Sequence, residues 1–584
     1  MNYILDKSGM TAFVEYIEWE RIHLKLQVKL TVENKELEEY ENLQFYGVNG
    51  RGEAWIKFDV IKKEGMTFWL HVNVSNNGMC RCVPEGTYRI YVCNGEDVLA
   101  ECETATSIAD KMEDFSRGFL YANQNKSYNV KFYIEDGGES LPFRIRVVNL
   151  TKTSQAFPTT PSFGKRIKSA FKDCIFGTRP NIRRIYRFFE FIYRGKRKNN
   201  VLFMTEQSVK LGTNLLAVSE QMKKRGLDQK FHIEYSARKV SEKNLGVKSW
   251  IHLMKLLAKS GTIFLDDHAP VLDWLQLSED TCVIQLWHAG AGFKSSGYSR
   301  WGHMGCPAPQ SCHRQYRYGI SGSRRIAHFF SEVWGINDEQ VLPTGMPRMD
   351  EFLDEDYRRK KTEELYTQFP MCKGKKVILF APTYRGKNNA NAYYPYELIN
   401  FDKLYELCGD EYVVLFKMHP WVIVDIDIPE KYRDKFMDVK SYPNINDLFY
   451  ITELLITDYS SNIFEYSLMR KPMLFFAFDK IQYSFSRGFH RAYEESAPGK
   501  VCYTFAEVLD AIANKDFEYE KVEAYVEHHF DYIDSHASDR VIDWFLLGKM
   551  PEEFQWDIEK RKQEMQEMQE LDFTVPEEEL GGEC

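Results

Sequence analysis

Between residues 13 and 150, apolar and polar positions alternate with a period of two. Ile22, Leu24, Leu26, Val28, Leu30 and Val32 form one such run, and Phe68, Leu70, Val72 and Val74 form another. Tyr88, Ile90 and Val92 repeat the pattern, followed by Tyr128, Val130, Phe132 and Ile134 and then Phe143, Ile145 and Val147. Successive side chains of a strand point to opposite faces, so these runs predict half-buried strands. Joined by Gly, Asn and Pro turns, they predict a small all-β domain, an antiparallel sandwich, over residues 1–150. It shows no chemistry of its own and reads as an accessory or docking domain.

From residue 199 the texture changes to short continuous apolar runs between helical stretches. Residues 201–205, 231–235, 262–265, 282–287 and 340–343 form one series. Residues 376–381, 412–418, 454–457 and 472–478 form a second. Strands covered by helices on both faces lose their alternation, as in parallel sheets. Two successive βα series predict an α/β protein with two facing Rossmann-like domains, 199–350 and 351–548. Ligands of such sheets bind beyond the carboxyl ends of the strands.

At 584 residues the chain exceeds a single core, which agrees with several domains. Its 28% charged and 44% hydrophobic residues exclude disorder as the main state. The apolar run 473–478 falls far short of the about 18 residues that span a membrane. The first thirty residues lack the apolar core of a signal peptide, so the protein is expected in the cytoplasm. Twelve cysteines without a CxxC pair read as reduced thiols.

Charge is unevenly placed. The net charge is −9, yet residues 164–198 hold twelve Lys and Arg against two carboxylates. One concentrated basic stretch argues for a local anionic partner and against a general nucleic-acid binder. A Ser/Thr/Pro-rich linker, 151–163, precedes it. Its apolar residues Ile167, Phe171, Ile175, Ile182, Ile185, Phe188, Phe189 and Ile192 fall at helical spacings. Region 151–198 therefore predicts amphipathic helices that lie on an anionic membrane through Arg183, Arg184, Arg187, Arg194, Lys196 and Arg197. The plainer alternative is a helix packed on the next domain with a solvated basic face. Residues 549–584 form an acidic tail, read as a helix fraying into disorder.

The unusual residues follow predicted strands. His288 opens Trp287-His288-Ala289-Gly290-Ala291-Gly292-Phe293-Lys294, and His419-Pro420 stands in the same place in the second series. Imidazole exchanges protons near neutral pH, and two histidines at matching strand ends predict a shared cleft. A lone histidine of this kind is more often a hydrogen-bonded structural residue, and it is the pair that points to a cleft. In Thr457-Asp458-Tyr459-Ser460-Ser461, the serines stand where a helix begins, a place suited to phosphate. Asp458 or Ser460 there is also a plain N-cap. Glu465 lies a turn further, within reach of a ribose. Arg385 after strand 376–381 is placed to clamp a diphosphate. His303, Cys306, Cys312 and His313 match no common zinc spacing, so no metal is expected, and Asp266-Asp267-His268 reads as a loop.

Four ordered motifs then carry a resemblance. They are Val377-Ile378-Leu379-Phe380-Ala381-Pro382-Thr383-Tyr384-Arg385, Phe416-Lys417-Met418-His419-Pro420, Thr457-Asp458-Tyr459-Ser460-Ser461, and Arg487-Gly488-Phe489 with Ala497-Pro498-Gly499. Together they resemble the CDP-glycerol glycerophosphotransferase family across residues 199–545. Trp287-His288-Ala289 with Lys294, Tyr394-Pro395-Tyr396 and Ile17-Glu18-Trp19-Glu20-Arg21 are similar to its ribitol-phosphate polymerases, although Ala291-Gly292-Phe293 departs from their usual order.

The resemblance implies a GT-B architecture and membrane attachment through basic helices. It implies CDP-ribitol or CDP-glycerol as donor, an undecaprenyl-linked polymer as acceptor, CMP as leaving group and no cofactor. His288 would be the general base. His419 would be the second catalytic residue, holding the diphosphate and stabilising the charge that develops as CMP departs, while Arg385, Lys417, Thr457, Asp458, Ser460 and Ser461 would hold the donor, and Glu465 its ribose. Two other readings remain: a nucleotide-sugar glycosyltransferase on the same frame, and a membrane-docked assembly factor that has lost catalysis.

Overall fold

The computed structural model describes residues 9–556, 560 and 563, apart from 33–41, 51, 53, 79, 96, 136–139, 152–178, 240–245, 304 and 387–388. The predicted linker, the helical residues Ile167, Phe171 and Ile175, and nearly all of the tail beyond Trp556 lie outside the described residues.

Ten strands, β1 to β10, run between Met10 and Thr151. They form one continuous sheet instead of a two-sheet sandwich. β3 (Gln44–Asn49) pairs with both β4 (Trp55–Glu64) and β6 (Gly86–Asn94), which curls the sheet until it closes on itself. Period-two alternation shows which face of a strand is buried but not which strands are neighbours, and this is why the closure was not foreseen. Leu24, Leu26, Val28, Leu70, Tyr88, Ile90 and Ile145 fill the interior.

The two βα series form two six-stranded parallel sheets. The first has the order β12 (His232–Ala237), β11 (Asn200–Thr205), β13 (Thr262–Leu265), β14 (Cys282–Gln285), β15 (Tyr316–Ile320), β16 (Val341–Leu342). The second runs β19 (Phe436–Asp438), β18 (Tyr412–Phe416), β17 (Lys376–Phe380), β20 (Thr452–Thr457), β21 (Met473–Phe476), β22 (Lys500–Cys502). In each sheet the order reverses between two central strands, and such switch points open a crevice at the carboxyl edge. The segments bearing Arg385 and Asp458 leave β17 and β20, the pair at the second switch point.

The two parallel sheets meet closely because glycine leaves room. A Cβ at Gly290 would stand 2.5 Å from the Phe464 ring, and one at Gly322 would stand 2.9 Å from it. Phe464 belongs to the short helix Ile463–Ser467 that follows β20. The C-terminal helix Ala537–Phe545 returns to the first sheet's side, where Asp539 and Asp543 accept hydrogen bonds from Arg225 at 2.9 and 2.6 Å.

The basic helix spans Arg179–Ile192. Ile182 and Tyr186 are buried against the first parallel-sheet unit, while Arg184, Arg187, Phe188 and Phe191 face outward, the last 79% exposed. Arg194 and Lys196 are exposed beyond its end. Arg197 corrects the expectation. It is buried, and its guanidinium donates to the carbonyls of Ala258 and Glu190 and to Ser278 and Asp280, so it anchors the helix instead of facing a membrane. Arg183 is exposed but tied by its Nε to the Trp274 carbonyl at 2.6 Å.

The β unit is joined to the first parallel-sheet unit through aromatic side chains. Tyr298 and Trp301 belong to its core, with the Trp301 ring 5.0 Å from Phe119 and 4.7 Å from Tyr128. Truncating Trp301 to alanine removes this anchor and is expected to destabilise the β unit by about 3–5 kcal/mol. Chemical denaturation followed by tryptophan fluorescence measures it, and an unchanged midpoint contradicts the packing described.

Candidate active site

The strand β14 ends at Gln285, and the backbone then turns sharply. Trp287 has a φ of +52°, a left-handed conformation that costs a bulky residue about 1–3 kcal/mol. Two amides hold it there. Gln285 Oε1 accepts the Trp287 N–H at 2.9 Å, and buried Asn214 donates to the Leu286 and Trp287 carbonyls at 2.9 and 2.8 Å. The turn projects His288 toward solvent, with its side chain 53% exposed.

His288 Nδ1 lies 3.2 Å from the Asp266 carbonyl and 3.6 Å from Asp267 Oδ2. A carbonyl only accepts, so Nδ1 carries the proton and Nε2 keeps its lone pair. Asp267 stands where it stabilises an imidazolium. The loop 266–268 is thus part of the site, which the sequence reading missed because its partner is 22 residues away.

The second histidine is set differently. His419 Nδ1 accepts the Trp421 N–H at 3.1 Å, which leaves the ring proton on Nε2. Its ring packs 4.8 Å from Tyr384 and 5.4 Å from Trp421. Burial, then the charges of Lys294 and Lys417, push it down to about 4. At neutral pH it is an uncharged donor, not a base.

Lys294 reaches this place from the His288 loop. Its strand-like backbone bridges to Phe489, Gly488 accepts the Ser295 N–H at 3.3 Å, and Phe293 accepts the His490 N–H at 3.0 Å. Burial pushes its ammonium down to about 8, with Asp458 opposing and Arg487 and Arg385 adding to the shift. Arg487 donates to the Tyr384 hydroxyl at 2.8 Å. Arg300 is lowered by burial and by Arg487. Among the described residues neither Lys294, Arg300 nor Arg487 forms an ion pair with a carboxylate. Half-buried cations of this kind form a pocket for an anion.

Several predicted donor ligands do other work. Arg385 is buried and bidentate to Asp479 at 2.6 and 2.9 Å, with Asp458 2.9 Å away. Two carboxylates already neutralise it, so it braces the switch point instead of offering a free clamp. Asp458 is fully buried and also accepts the Thr383 N–H and hydroxyl at 2.8 and 2.9 Å. Thr457 is buried, its hydroxyl donating to the Ala381 carbonyl at 2.8 Å. Lys417 is buried with Nζ on the Lys440 carbonyl at 2.7 Å.

Glu465 is buried and paired with Arg348, which also holds the His288 carbonyl. It links the two parallel sheets and is not open to a ribose. Ser460 Oγ accepts the Asn462 N–H at 3.3 Å, and Ser461 is half-buried. The helix behind them, Ile463–Ser467, has five residues and too little length for a strong dipole.

His268, Asp273 and Cys312 bring possible ligand atoms within 4.8 Å of one another. Their polar atoms are mutually engaged, with His268 Nε2 to Asp273 at 3.0 Å and Asp273 accepting the Cys312 N–H at 2.7 Å. His313 is buried on the Tyr316 hydroxyl at 2.9 Å. Cys306 donates to the Leu120 carbonyl at 3.3 Å.

The chain is 37% identical over 381 residues to the teichoic acid ribitol-phosphate polymerase TarL of Staphylococcus aureus, spanning 65% of this chain and 68% of that one. It is 39% identical over 362 residues to the teichoic acid poly(ribitol-phosphate) polymerase of Bacillus spizizenii, spanning 61% of this chain and 57% of that one. The solved structure of the wall teichoic acid polymerase TagF superposes with a TM-score of 0.51 at 22% identity, covering 67% of this chain and 98% of that one. That likeness supports an α/β, GT-B-like fold and nothing finer. Residues 185–547, which include the whole cleft, match the family described as CDP-glycerol:poly(glycerophosphate) glycerophosphotransferase, and the chain belongs to it.

Proposed function

We propose that this CDP-polyol phosphotransferase of teichoic acid synthesis moves ribitol phosphate from CDP-ribitol to the terminal hydroxyl of an undecaprenyl-linked poly(ribitol phosphate) chain. The reading is carried by one open, oriented imidazole and by cations without a paired carboxylate among the described residues, with His288 and Lys294 on one loop between the two parallel sheets. Its greater likeness to ribitol-phosphate polymerases favours ribitol over glycerol.

His288 Nε2 takes the proton of the acceptor hydroxyl, whose oxygen attacks the phosphorus bearing the polyol. A new P–O bond forms as the P–O bond to CMP breaks, and CMP leaves with the electron pair. Asp267 and the Asp266 carbonyl support the imidazolium through Nδ1–H. Lys294, Arg487 and the His419 Nε2–H face the charge that builds on the leaving phosphate. Ser460 and Ser461, at the mouth of β20, supply hydroxyls to the same group. Arg385, Asp458, Thr457, Lys417 and Glu465 keep these elements in register.

The outward face of Arg179–Ile192 supports peripheral attachment to the cytoplasmic face of the membrane. Phe188, Phe191 and Ile192 are 62%, 79% and 42% exposed beside Arg184 and Arg187, a composition suited to an anionic interface. No helix among the described residues is long and apolar enough to cross a membrane.

His288→Ala is expected to lower CMP release by about a hundred- to ten-thousand-fold with folding intact. Near-normal turnover removes the base assignment. Lys294 is charged below its value near 8 and neutral above it, so the positive field is lost as pH rises. The donor KM is therefore expected to rise above pH 8, and Lys294→Arg to abolish that rise, because guanidinium stays charged. A pH profile of kcat/KM for both proteins checks this. Replacing Arg184 and Arg187 by Glu is expected to abolish sedimentation with phosphatidylglycerol vesicles while sparing CMP release with a soluble acceptor.

A further inference from the structure

One buried carboxylate joins all three parts of the chain. Glu332 lies on the helix Ala327–Trp334 of the first parallel-sheet unit, with its side chain 8% exposed. Arg21 Nη2 donates to both of its oxygens at 2.8 and 2.9 Å, and His23 Nε2 lies 3.0 Å away. Both residues come from the β unit, at the turn between β1 (Met10–Glu20) and β2 (His23–Val32). Arg21 holds a left-handed φ of +54° there, so the turn spends backbone strain to aim its guanidinium. Behind His23 stands His71, 2.9 Å from Nδ1.

From the opposite side comes His490 of the second parallel-sheet unit. Its side chain is fully buried, and Nε2 lies 3.1 Å from Glu332 Oε1. Burial alone would raise the Glu332 carboxyl, but the hydrogen bond from His23, the nearby His490 ring and the charge of Arg21 hold it far below the usual range. Glu332 is therefore an anion that needs its cationic partner.

His490 adjoins the segment that faces the donor. Its N–H is on Phe293, Phe489 bridges to Lys294, and Arg491 donates to the Gly292 carbonyl at 3.2 Å. Segments 293–295 and 488–490 are hydrogen-bonded side by side, which gives His490 a backbone connection to Lys294 and Arg487. The β unit supplies none of the side chains assigned above to the cleft, yet it holds the far end of this contact.

We propose that Arg21 and His23 are positioning residues for the donor pocket, acting through Glu332 and His490 on segment 487–491. The β unit is thus a working part of the catalytic unit and not a detachable accessory. This rests on reading that pocket as the donor site.

The test uses full-length Arg21→Ala, Arg21→Lys, His23→Ala and Glu332→Gln, with Lys29→Ala as a control in the same sheet. Lys29 pairs with Glu15 at 3.7 Å, further along the same two strands and away from the junction. Amide hydrogen exchange of peptides across 488–493 and 293–296 is measured first, because it needs no substrate. Faster exchange there is expected in Arg21→Ala and Glu332→Gln, with Lys29→Ala like the parent and Arg21→Lys between. Steady-state CMP release is then expected to show a donor KM raised about tenfold in Arg21→Ala, with kcat nearly unchanged.

Unchanged exchange at 488–493 in folded Arg21→Ala and His23→Ala overturns the proposal, and so does an equal change in Lys29→Ala. Should Glu332→Gln fail to fold, the other variants decide. An exchange effect in a protein that releases no CMP from either donor leaves the mechanical link standing and refutes the donor-site reading instead.

Discussion

Removing a cation from water is costly unless an anion meets it, and the fold meets that demand unequally. Arg385 is satisfied twice over, by Asp458 and Asp479. Lys294 and Arg487 are brought into the same crevice with no paired carboxylate among the described residues, and Lys294 loses part of its basicity in consequence. Everything else in the cleft is arranged around that deficit. A substrate with a diphosphate supplies the missing charge, and a neutral ligand does not.

Holding Lys294 there takes the whole chain. It grows from the His288 loop of one parallel sheet and lies against the Phe489 strand of the other. Gly290 and Gly322 let Phe464 enter the seam, and Arg348 spans it from the His288 carbonyl to Glu465. Further along the same loop, Trp301 is buried in the β unit. The proposed base and the Lys294 cation are therefore fixed on one loop, the placement that the proposed transfer requires.

The strands of the parallel sheets were legible because strands buried on both faces are written as continuous apolar runs. β15 escaped notice because Arg317 and Gly319 interrupt its run, and Gly319 is there to admit the Trp334 ring. β19 and β22 have three residues each and carry too little pattern. Both histidines were legible from their places after strands. Their separate roles came only with the family resemblance, and the groups that set them, Asp266, Asp267 and the Trp421 N–H, were not legible. Arg385 was misjudged for a related reason: nothing near it in the sequence announces Asp479, 94 residues on. Arg197 looked like its basic neighbours until its acceptors at Ala258 and Glu190 were visible.

The most direct measurement is CMP release by the purified chain given CDP-ribitol or CDP-glycerol with a lipid-linked glycerol-phosphate primer, with the product sized in parallel. The account predicts release from CDP-ribitol, with product lengthening by ribitol-phosphate units. Release of a nucleoside diphosphate from a nucleotide sugar, or no CMP from either donor by folded protein, would contradict it.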